Sequence, residues 1–237
     1  MKKIAIIPAR GGSKRILKKN IKDFLGKPII AYSIESALRS ELFDEVMVST
    51  DDEEIASISI HFGAEVPFLR STVTSSDFAT TNDVLKEVLL KYRELDQNFD
   101  VICCIYPCTP LITTEMLKNS YSTFIKGNFT LLYPVIAYSH PVQRAINLGD
   151  DGKIAYLYPE NENIRTQDLK TYYHDSGQFY WMNLDYLFKD NFEGENTGAI
   201  IISEMDGQDI DNENDWKLAE MKFKLKENNI ETDNIHN

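Results

Sequence analysis

Cysteine is scarce in this chain of 237 residues: Cys103, Cys104 and Cys108 lie within six positions, and there is no fourth. No Cys-x-x-Cys pair occurs, so a disulfide framework and a zinc site of the usual spacing are both excluded, and buried reduced thiols are expected. Histidine is nearly as sparse, with four residues. His61 is expected on a helix, His140 and His174 in a later lobe and His236 in the tail, and no Ser-His-Asp arrangement calls for a covalent intermediate. Long apolar runs are missing too. Ile4-Ala5-Ile6-Ile7 is too short for a signal-peptide core and is cut off by the basic stretch from Arg10 to Arg15. Nothing approaches the ~18 apolar residues of a membrane span. A cytoplasmic protein with no membrane partner is expected. Positive charge is in deficit, 25 Lys+Arg against 37 Asp+Glu for a net −12, which argues against nucleic acid as a partner.

A 43% hydrophobic share with 12 Phe and 12 Tyr supplies a real core. At this length a single domain is expected over 1–237, carrying an inserted lobe at about 139–176. The charge is uneven. Residues 1–27 hold nine basic side chains and one acidic one, Asp23, a segment of +8 in a chain of −12. Such an island suits a small polyanion; on charge alone, a solvated lysine-rich loop is the competing reading.

Apolar runs alternate with helical patterns, the mark of an α/β fold with a mostly parallel sheet flanked by helices. Ile4 to Ile7, Glu45 to Ser49 and Val101 to Ile105 read as strands. Ile30, Ile34, Ala37 and Leu38 fall on one helical face, as do Val84, Leu85, Val88, Leu89 and Tyr92, the latter with Thr80, Thr81 or Asn82 as N-cap. A further helix is expected after Thr113-Thr114-Glu115. Arg144 to Tyr158 reads as a hairpin turning at Gly149-Asp150-Asp151-Gly152. Gln178 to Trp181 reads as a strand, and Asp215 to Lys224 as a last helix burying Trp216, Ala219 and Phe223. The polar residues from Lys226 onward are expected to fray.

The first strand runs into Pro8-Ala9-Arg10-Gly11-Gly12-Ser13-Lys14-Arg15. Two glycines let backbone approach a ligand and present N–H groups to an anion, and Arg10, Lys14 and Arg15 add charge suited to a triphosphate. The motif is neither Gly-x-x-x-x-Gly-Lys-Ser/Thr nor Gly-x-Gly-x-x-Gly. Its place after a strand suits ligand binding beyond strand carboxyl ends. Gln208-Asp209-Ile210-Asp211 is the second motif: in extended chain both carboxylates face one way, two hard oxygen ligands for magnesium shared with phosphates. Helix capping by Asp211 or Asn212 competes. So does a calcium loop of Asp209, Asp211, Glu213, Asp215 and Glu220, against which stands Asn214 where that loop needs glycine. For Asp51 and Asp52, helix capping is the favoured reading, with a ligand-facing Asp51 as the alternative.

Taken in order, these segments resemble the CMP-nonulosonic acid synthetases, cytidylyltransferases for acidic sugars. The resemblance rests on Ile7 to Arg15, Lys19-Asn20-Ile21, Leu25-Gly26-Lys27-Pro28, Val48-Ser49-Thr50-Asp51, Val66 to Arg70, Ser76 to Thr81, Gln167-Asp168-Leu169 and the paired aspartates. It implies a Rossmann-like, GT-A-like nucleotidyltransferase domain that forms a homodimer through the inserted lobe. It further implies transfer of CMP from CTP to a nonulosonic acid with release of pyrophosphate, for bacterial surface or flagellar glycosylation. Magnesium is the implied cofactor, with manganese able to substitute. Arg10, Gly11, Gly12, Ser13, Lys14 and Asn20 would meet the nucleotide and its phosphates, and Arg70, Ala79 and Thr81 would surround cytosine and ribose. Asp209 and Asp211 would hold the metal, and Arg10, Lys14 and Asp211 would carry the catalysis. Thr109, Arg165, Gln178 and Tyr180 would face the sugar, with Gln143 reaching in from the partner subunit. Ala79-Thr80-Thr81, Cys103 to Pro107, Pro141 to Ala145 and Tyr173 to Trp181 resemble the members acting on pseudaminic acid; the chain departs from the sialic acid members over Tyr106 to Ile112, at Gln143 and at Ser176-Gly177-Gln178. Leu17 stands where proline is usual. Sialic and legionaminic acid are the alternative substrates, and a nucleotide-binding regulator is the non-enzymatic alternative. A magnesium phosphohydrolase is disfavoured because the Asp-x-Asp-x-Thr nucleophile loop is absent.

Overall fold

A computed structural model describes residues 1–188 and 196–235, with side chains as far as Asn228. His236 lies outside the described residues. Strand β1 (Lys3–Pro8) opens the chain. A two-residue hairpin, β2 (Asp23–Phe24) and β3 (Lys27–Pro28), leads into α1 (Ile29–Ser40), β4 (Glu45–Ser49) and α2 (Glu53–His61). Helix α3 (Thr81–Glu94) precedes β5 (Val101–Ile105), and α4 (Thr114–Lys126) precedes β6 (Leu131–Ala137). The hairpin of β7 (Ile146–Leu148) and β8 (Ile154–Tyr156) stands apart, followed by β9 (Tyr173–Asp175), β10 (Phe179–Asn183), α5 (Leu184–Phe188), β11 (Thr197–Ile201) and α6 (Glu213–Ile235).

Among the described residues the main sheet has seven strands in the order β11-β6-β10-β5-β1-β4, with β9 also on β6. Strands β4, β1 and β5 are parallel, as β11 is to β6, whereas β10 runs antiparallel between β5 and β6. Strands β4, β1, β5, β6 and β11 therefore run one way and β10 and β9 the other, so the sheet is mixed and mostly parallel, as expected. After β6 the chain forms the separate β7–β8 hairpin and returns to the sheet along β9 and β10 without a crossover helix, and antiparallel pairing needs none.

Strand β1 shows why this half is doubly covered. Ala5 and Ile7 join Ile30, Ile34 and Ala37 of α1, Ile55 of α2 and Leu117 and Phe124 of α4 on one face. Ile4 and Ile6 join Leu85, Val88, Leu89 and Tyr92 of α3 and Leu187 of α5 on the other. A third cluster packs Trp216 and Ala219 of α6 with Phe24, Ile29, Tyr32 and Ile210. Cys103 and Cys104 point to opposite faces, Cys108 joins the third cluster, and all three are buried free thiols. Thr80 caps α3 in a full capping box with Asp83, and Thr113 caps α4. Leu38 is half-exposed at the edge of its helix. Helix α6 continues through the polar stretch expected to fray, helped by a Lys226–Asp206 ion pair at 2.6 Å. Among the described residues no helix is long and apolar enough to cross a membrane.

Strand β1 is flanked by β4 on one side and β5, reached through α2 and α3, on the other. The carboxyl ends of all three open on the same edge. That reversal of winding direction leaves a crevice beyond Pro8 and Ile105, where open α/β sheets take their ligands.

Candidate active site

The loop leaving β1 is built against the end of β4. Ala9 N–H donates to the Ser49 carbonyl at 2.9 Å, and Gly11 N–H donates to the Asp51 carboxylate at 3.0 Å. A Cβ on Gly11 would stand 2.7 Å from Asp52 Oδ2 and 3.0 Å from Asp52 Cβ, so this glycine answers a packing demand, whereas Gly12 faces open space. Asp52 Oδ1 caps α2 by accepting the Glu54 and Ile55 amides. Capping thus falls to Asp52, and Asp51 anchors the loop. Asn20, buried, donates to the Arg10 carbonyl at 2.9 Å and accepts the Cys108 thiol, which burial pushes up to about 12.

Beyond this loop lies a cavity of about 400 Å³ lined by Arg10, Lys14, Arg15, Lys19, Asn20 and Asp211. Every one of its cations is engaged. Asp77 receives Arg10 Nη1 at 2.8 Å and Lys14 Nζ at 2.5 Å, Arg15 pairs with Asp211 at 2.8 Å, and Lys19 Nζ donates to the Ile210 carbonyl at 2.5 Å. Pro8 and Arg10 are shared with a second hollow, lined also by Arg70, Asp77, Ala79 and Thr81. Arg70 donates through Nε to Ser49 Oγ at 3.1 Å, and burial lowers its proton affinity against the pull of Asp51 and Glu87.

Thr81 and Tyr106 connect this hollow to a third of about 310 Å³, where Tyr106 and Tyr180 sit 5.4 Å apart, ring to ring, with Tyr133 beyond. Tyr180 donates to Asp175 Oδ2 at 2.8 Å. Burial raises both tyrosine hydroxyls, so both stay protonated donors at neutral pH. The three hollows form one groove: cations at one end, a half-buried arginine in the middle, tyrosines at the other.

At the cationic end, Asp209 and Asp211 flank Ile210, which is buried in the third core cluster, so the carboxylates turn outward together. Burial, then the charge of Asp211, raises the Asp209 carboxyl. Two hard carboxylates crowded on one side fit a small divalent cation that completes its shell with phosphate oxygens. Asn212 caps α6 through the Asn214 and Asp215 amides, while Asp215 accepts the Asp211 and Asn212 amides at 2.8 and 3.0 Å. The calcium-loop alternative falls here: Glu213 pairs with Lys22, Glu220 accepts from Trp216 and Asp215 holds backbone. Among the described residues no group of three or more metal-ligating side chains gathers.

The residues expected from the sequence divide into two groups. Arg10, Ser13, Lys14, Asn20 and Asp211 line the first hollow, Arg70, Ala79 and Thr81 the second, and Tyr180 the third. Thr109 and Gln178 do not line the groove: the buried Thr109 hydroxyl donates to the Tyr106 carbonyl at 2.7 Å, and buried Gln178 donates to the Asp206 carbonyl at 2.8 Å. Gln143 donates to the Lys170 carbonyl and Arg165 pairs with Asp168, both within the lobe and away from the three hollows. Sequence reasoning missed Asp77 and Lys19, and took Tyr106 as a marker of substrate type without a role at the groove. Asp77 has no local signal, because its partners lie 63 and 67 residues away.

The sequence model of the cytidylyltransferase family matches residues 4–203. The chain is 38% identical over 231 residues to a pseudaminic acid cytidylyltransferase of Campylobacter jejuni subsp. jejuni serotype O:2, covering 95% of this chain and 97% of that protein. It is 29% identical over 236 residues to a CMP-N,N'-diacetyllegionaminic acid synthase of Legionella pneumophila, covering 96% and 98%. Among solved structures it resembles a CMP:2-keto-3-deoxy-manno-octonic acid synthetase complexed with CTP, with a TM-score of 0.71 at 18% identity over 95% of this chain and 100% of that one. At that identity the likeness speaks for the fold alone.

Proposed function

The chain belongs to the cytidylyltransferase family, and from that premise we propose that it converts CTP and pseudaminic acid into CMP-pseudaminic acid and pyrophosphate. One observation carries the reading: Arg10, Lys14 and Arg15 meet Asp211 at the end of a groove that continues past Arg70 to a tyrosine-lined hollow. Phosphates, base and sugar then have separate places in line. The relatives named for pseudaminic acid, at 37–38% identity, favour that sugar over legionaminic or sialic acid.

In this reading the anomeric hydroxyl of the sugar attacks the α-phosphorus in line, an oxygen–phosphorus bond forms, and the bond to pyrophosphate breaks. Positioning and charge neutralisation carry most of such a transfer. Arg10 and Lys14 offset the charge that grows on the leaving pyrophosphate. Asp209 and Asp211 would hold magnesium, which when bound would neutralise phosphate oxygens. Asp211 takes the hydroxyl's proton once Arg15 turns to the phosphates. Arg70, Ala79 and Thr81 frame the nucleoside, and Tyr106 and Tyr180 offer the sugar protonated hydroxyls and ring faces.

The exposed apolar lobe supports a homodimer in which Gln143 and Arg165 serve the partner's groove, and the three buried free thiols support a cytoplasmic enzyme. The test is a pyrophosphate-release screen of four nucleoside triphosphates against pseudaminic, legionaminic and sialic acid. CTP with pseudaminic acid should lead by at least about tenfold in kcat/KM; a lead by another sugar reassigns the substrate. Binding of CTP without release for any sugar points to a regulator.

A further inference from the structure

The cations on which the phosphate end depends are already neutralised from within. A single carboxylate, Asp77, spans two of them, one oxygen on Arg10 and the other on Lys14. That is also how two non-bridging oxygens of a phosphate would be held. Asp77 sits in the 71–80 loop, between Arg70 and Ala79, and lines the same hollow as both. The carboxylate and a phosphate therefore compete for one pair of donors, and the competitor belongs to the segment that shapes the base hollow.

We propose that Asp77 is an internal counter-anion that the nucleotide's phosphates displace, so that phosphate binding releases the 71–80 loop and couples the phosphate end of the groove to the base hollow. This rests on reading the cationic hollow as the phosphate site. The loop is built for such a release. Glu87 anchors its beginning through the Ser71 amide at 2.9 Å and the Ser71 hydroxyl at 2.6 Å, and the Thr80–Asp83 capping box anchors its end. Glu87 also holds the buried Thr74, but beyond it Phe78, next to Asp77, is 95% exposed, so little packing opposes displacement of the Asp77–Phe78 part of the loop. Lys14 first, then Arg10, holds the Asp77 carboxyl below the usual carboxylate range, the mark of a charge bound by both. A triphosphate brings several negative charges where Asp77 brings one, so the exchange runs toward the ligand. Arg15 and Asp211 face the same exchange, the arginine turning to phosphate as the aspartate turns to a cation.

The pairs are solvent-exposed and each is weak, so the competition is worth roughly two- to tenfold in affinity. The experiment is calorimetric titration of wild type and Asp77→Asn with inorganic tripolyphosphate, free of metal and at low salt. The variant should bind roughly two- to tenfold tighter, with the gap narrowing as salt is raised. Equal or weaker binding by the variant overturns the proposal, because Asp77 would then serve only to pre-orient Arg10 and Lys14. A Phe78→Trp reporter tests the movement: its emission should shift on saturation with tripolyphosphate, and an unchanged spectrum overturns the loop release. If tripolyphosphate binds neither protein, the reading of the cationic hollow falls along with the proposal; tight but equal binding removes the proposal alone.

Discussion

Lys222 Nζ stands 2.8 Å from the carbonyl oxygen of Gly207, and the same ammonium reaches the Glu204 carbonyl at 2.7 Å and Gln208 Oε1 at 3.0 Å. This buried lysine of α6 pins the segment immediately before Asp209. Lys222→Met keeps the stem's packing and removes all three donations. The buried Gly207 carbonyl left unpaired costs roughly 1–3 kcal/mol and the two part-buried acceptors less, and at this size each kcal/mol lowers the melting temperature by about 2–4 °C. The variant should melt several degrees lower and need several-fold more magnesium for half-maximal rate, with KM for CTP little changed. A magnesium titration that overlays the wild type would confine Lys222 to a structural role.

Lys14→Ala separates catalysis from folding. The side chain is 76% exposed and its ion pair is with Asp77, so its loss should leave stability within about 0.5 kcal/mol. Removing one charge-stabilising donor from a developing oxyanion typically costs about 10²–10³ in turnover. Pyrophosphate release should fall on that scale while the melting curve stays in place. Near-normal release would take Lys14 out of the mechanism.

Asp209→Asn should move activity and stability in opposite directions. Burial and the neighbouring Asp211 charge raise the Asp209 carboxyl, so its ionisation costs the folded state more than the unfolded chain. Stability is therefore lost as pH rises through the ordinary carboxylate range to the raised value, and the penalty persists at neutral pH. The amide removes it: at pH 7 the variant should melt no lower than wild type, with any gain vanishing as pH falls below the ordinary carboxylate range, where the wild-type carboxyl is neutral folded and unfolded. The same change should raise the magnesium requirement or abolish turnover. An unchanged metal titration would reject Asp209 as a ligand.

Much of this architecture was legible because its signals are local. Continuous apolar runs marked β1, β4 and β5, the 3.6-residue stripes marked α1 and α3, and threonine caps marked the starts of α3 and α4. Strand β6 escaped because Pro134 interrupts it and reads as a breaker, and β9 escaped because all three residues are exposed and carry no alternation. The glycine loop and the paired aspartates announced themselves by spacing. Asp77 and Lys222 did not, since tertiary packing alone selects one exposed aspartate and one lysine among many. Thr109 and Gln178 show the converse: polar side chains in segments matched to sugar-facing ones, which this fold turns inward to hold its own backbone.

Glu87 predicts an acid limit. Burial pushes its carboxyl up, but hydrogen bonds from Lys91, Ser71 and Thr74 outweigh burial and bring it down to about 2. A depressed carboxyl contributes stability that is complete above its ordinary value of 4.5 and is lost as pH falls from there toward about 2. Allowing for partial exposure, the contribution is on the order of 1 kcal/mol. Glu87→Gln should be less stable at pH 7, and its deficit should shrink progressively below about pH 4.5. Because Glu87 also holds Ser71 and Thr74 beside Arg70, KM for CTP should rise in the variant while the magnesium requirement stays put.

The segment at about 139–176, expected from the sequence as a lobe, carries the homodimer prediction. Its hairpin exposes Ile146 at 50%, Leu148 at 72% and Ile154 at 61%, and Leu157, Tyr158 and Tyr172 extend the apolar surface. An apolar patch on a hairpin outside the main sheet marks an interaction surface, since it adds nothing to the domain's own core. Leu148→Asp places a charge there without touching the clusters around β1, so the domain should stay folded. Sedimentation should show a dimer for wild type and a monomer for the variant. If Gln143 and Arg165 reach the partner's groove, the monomer should still bind CTP yet show a KM for the sugar raised by an order of magnitude or more, about what loss of one charge-assisted contact brings. A variant that remains dimeric moves the interface elsewhere, and a monomer with unchanged KM for the sugar restricts each groove to residues of its own chain.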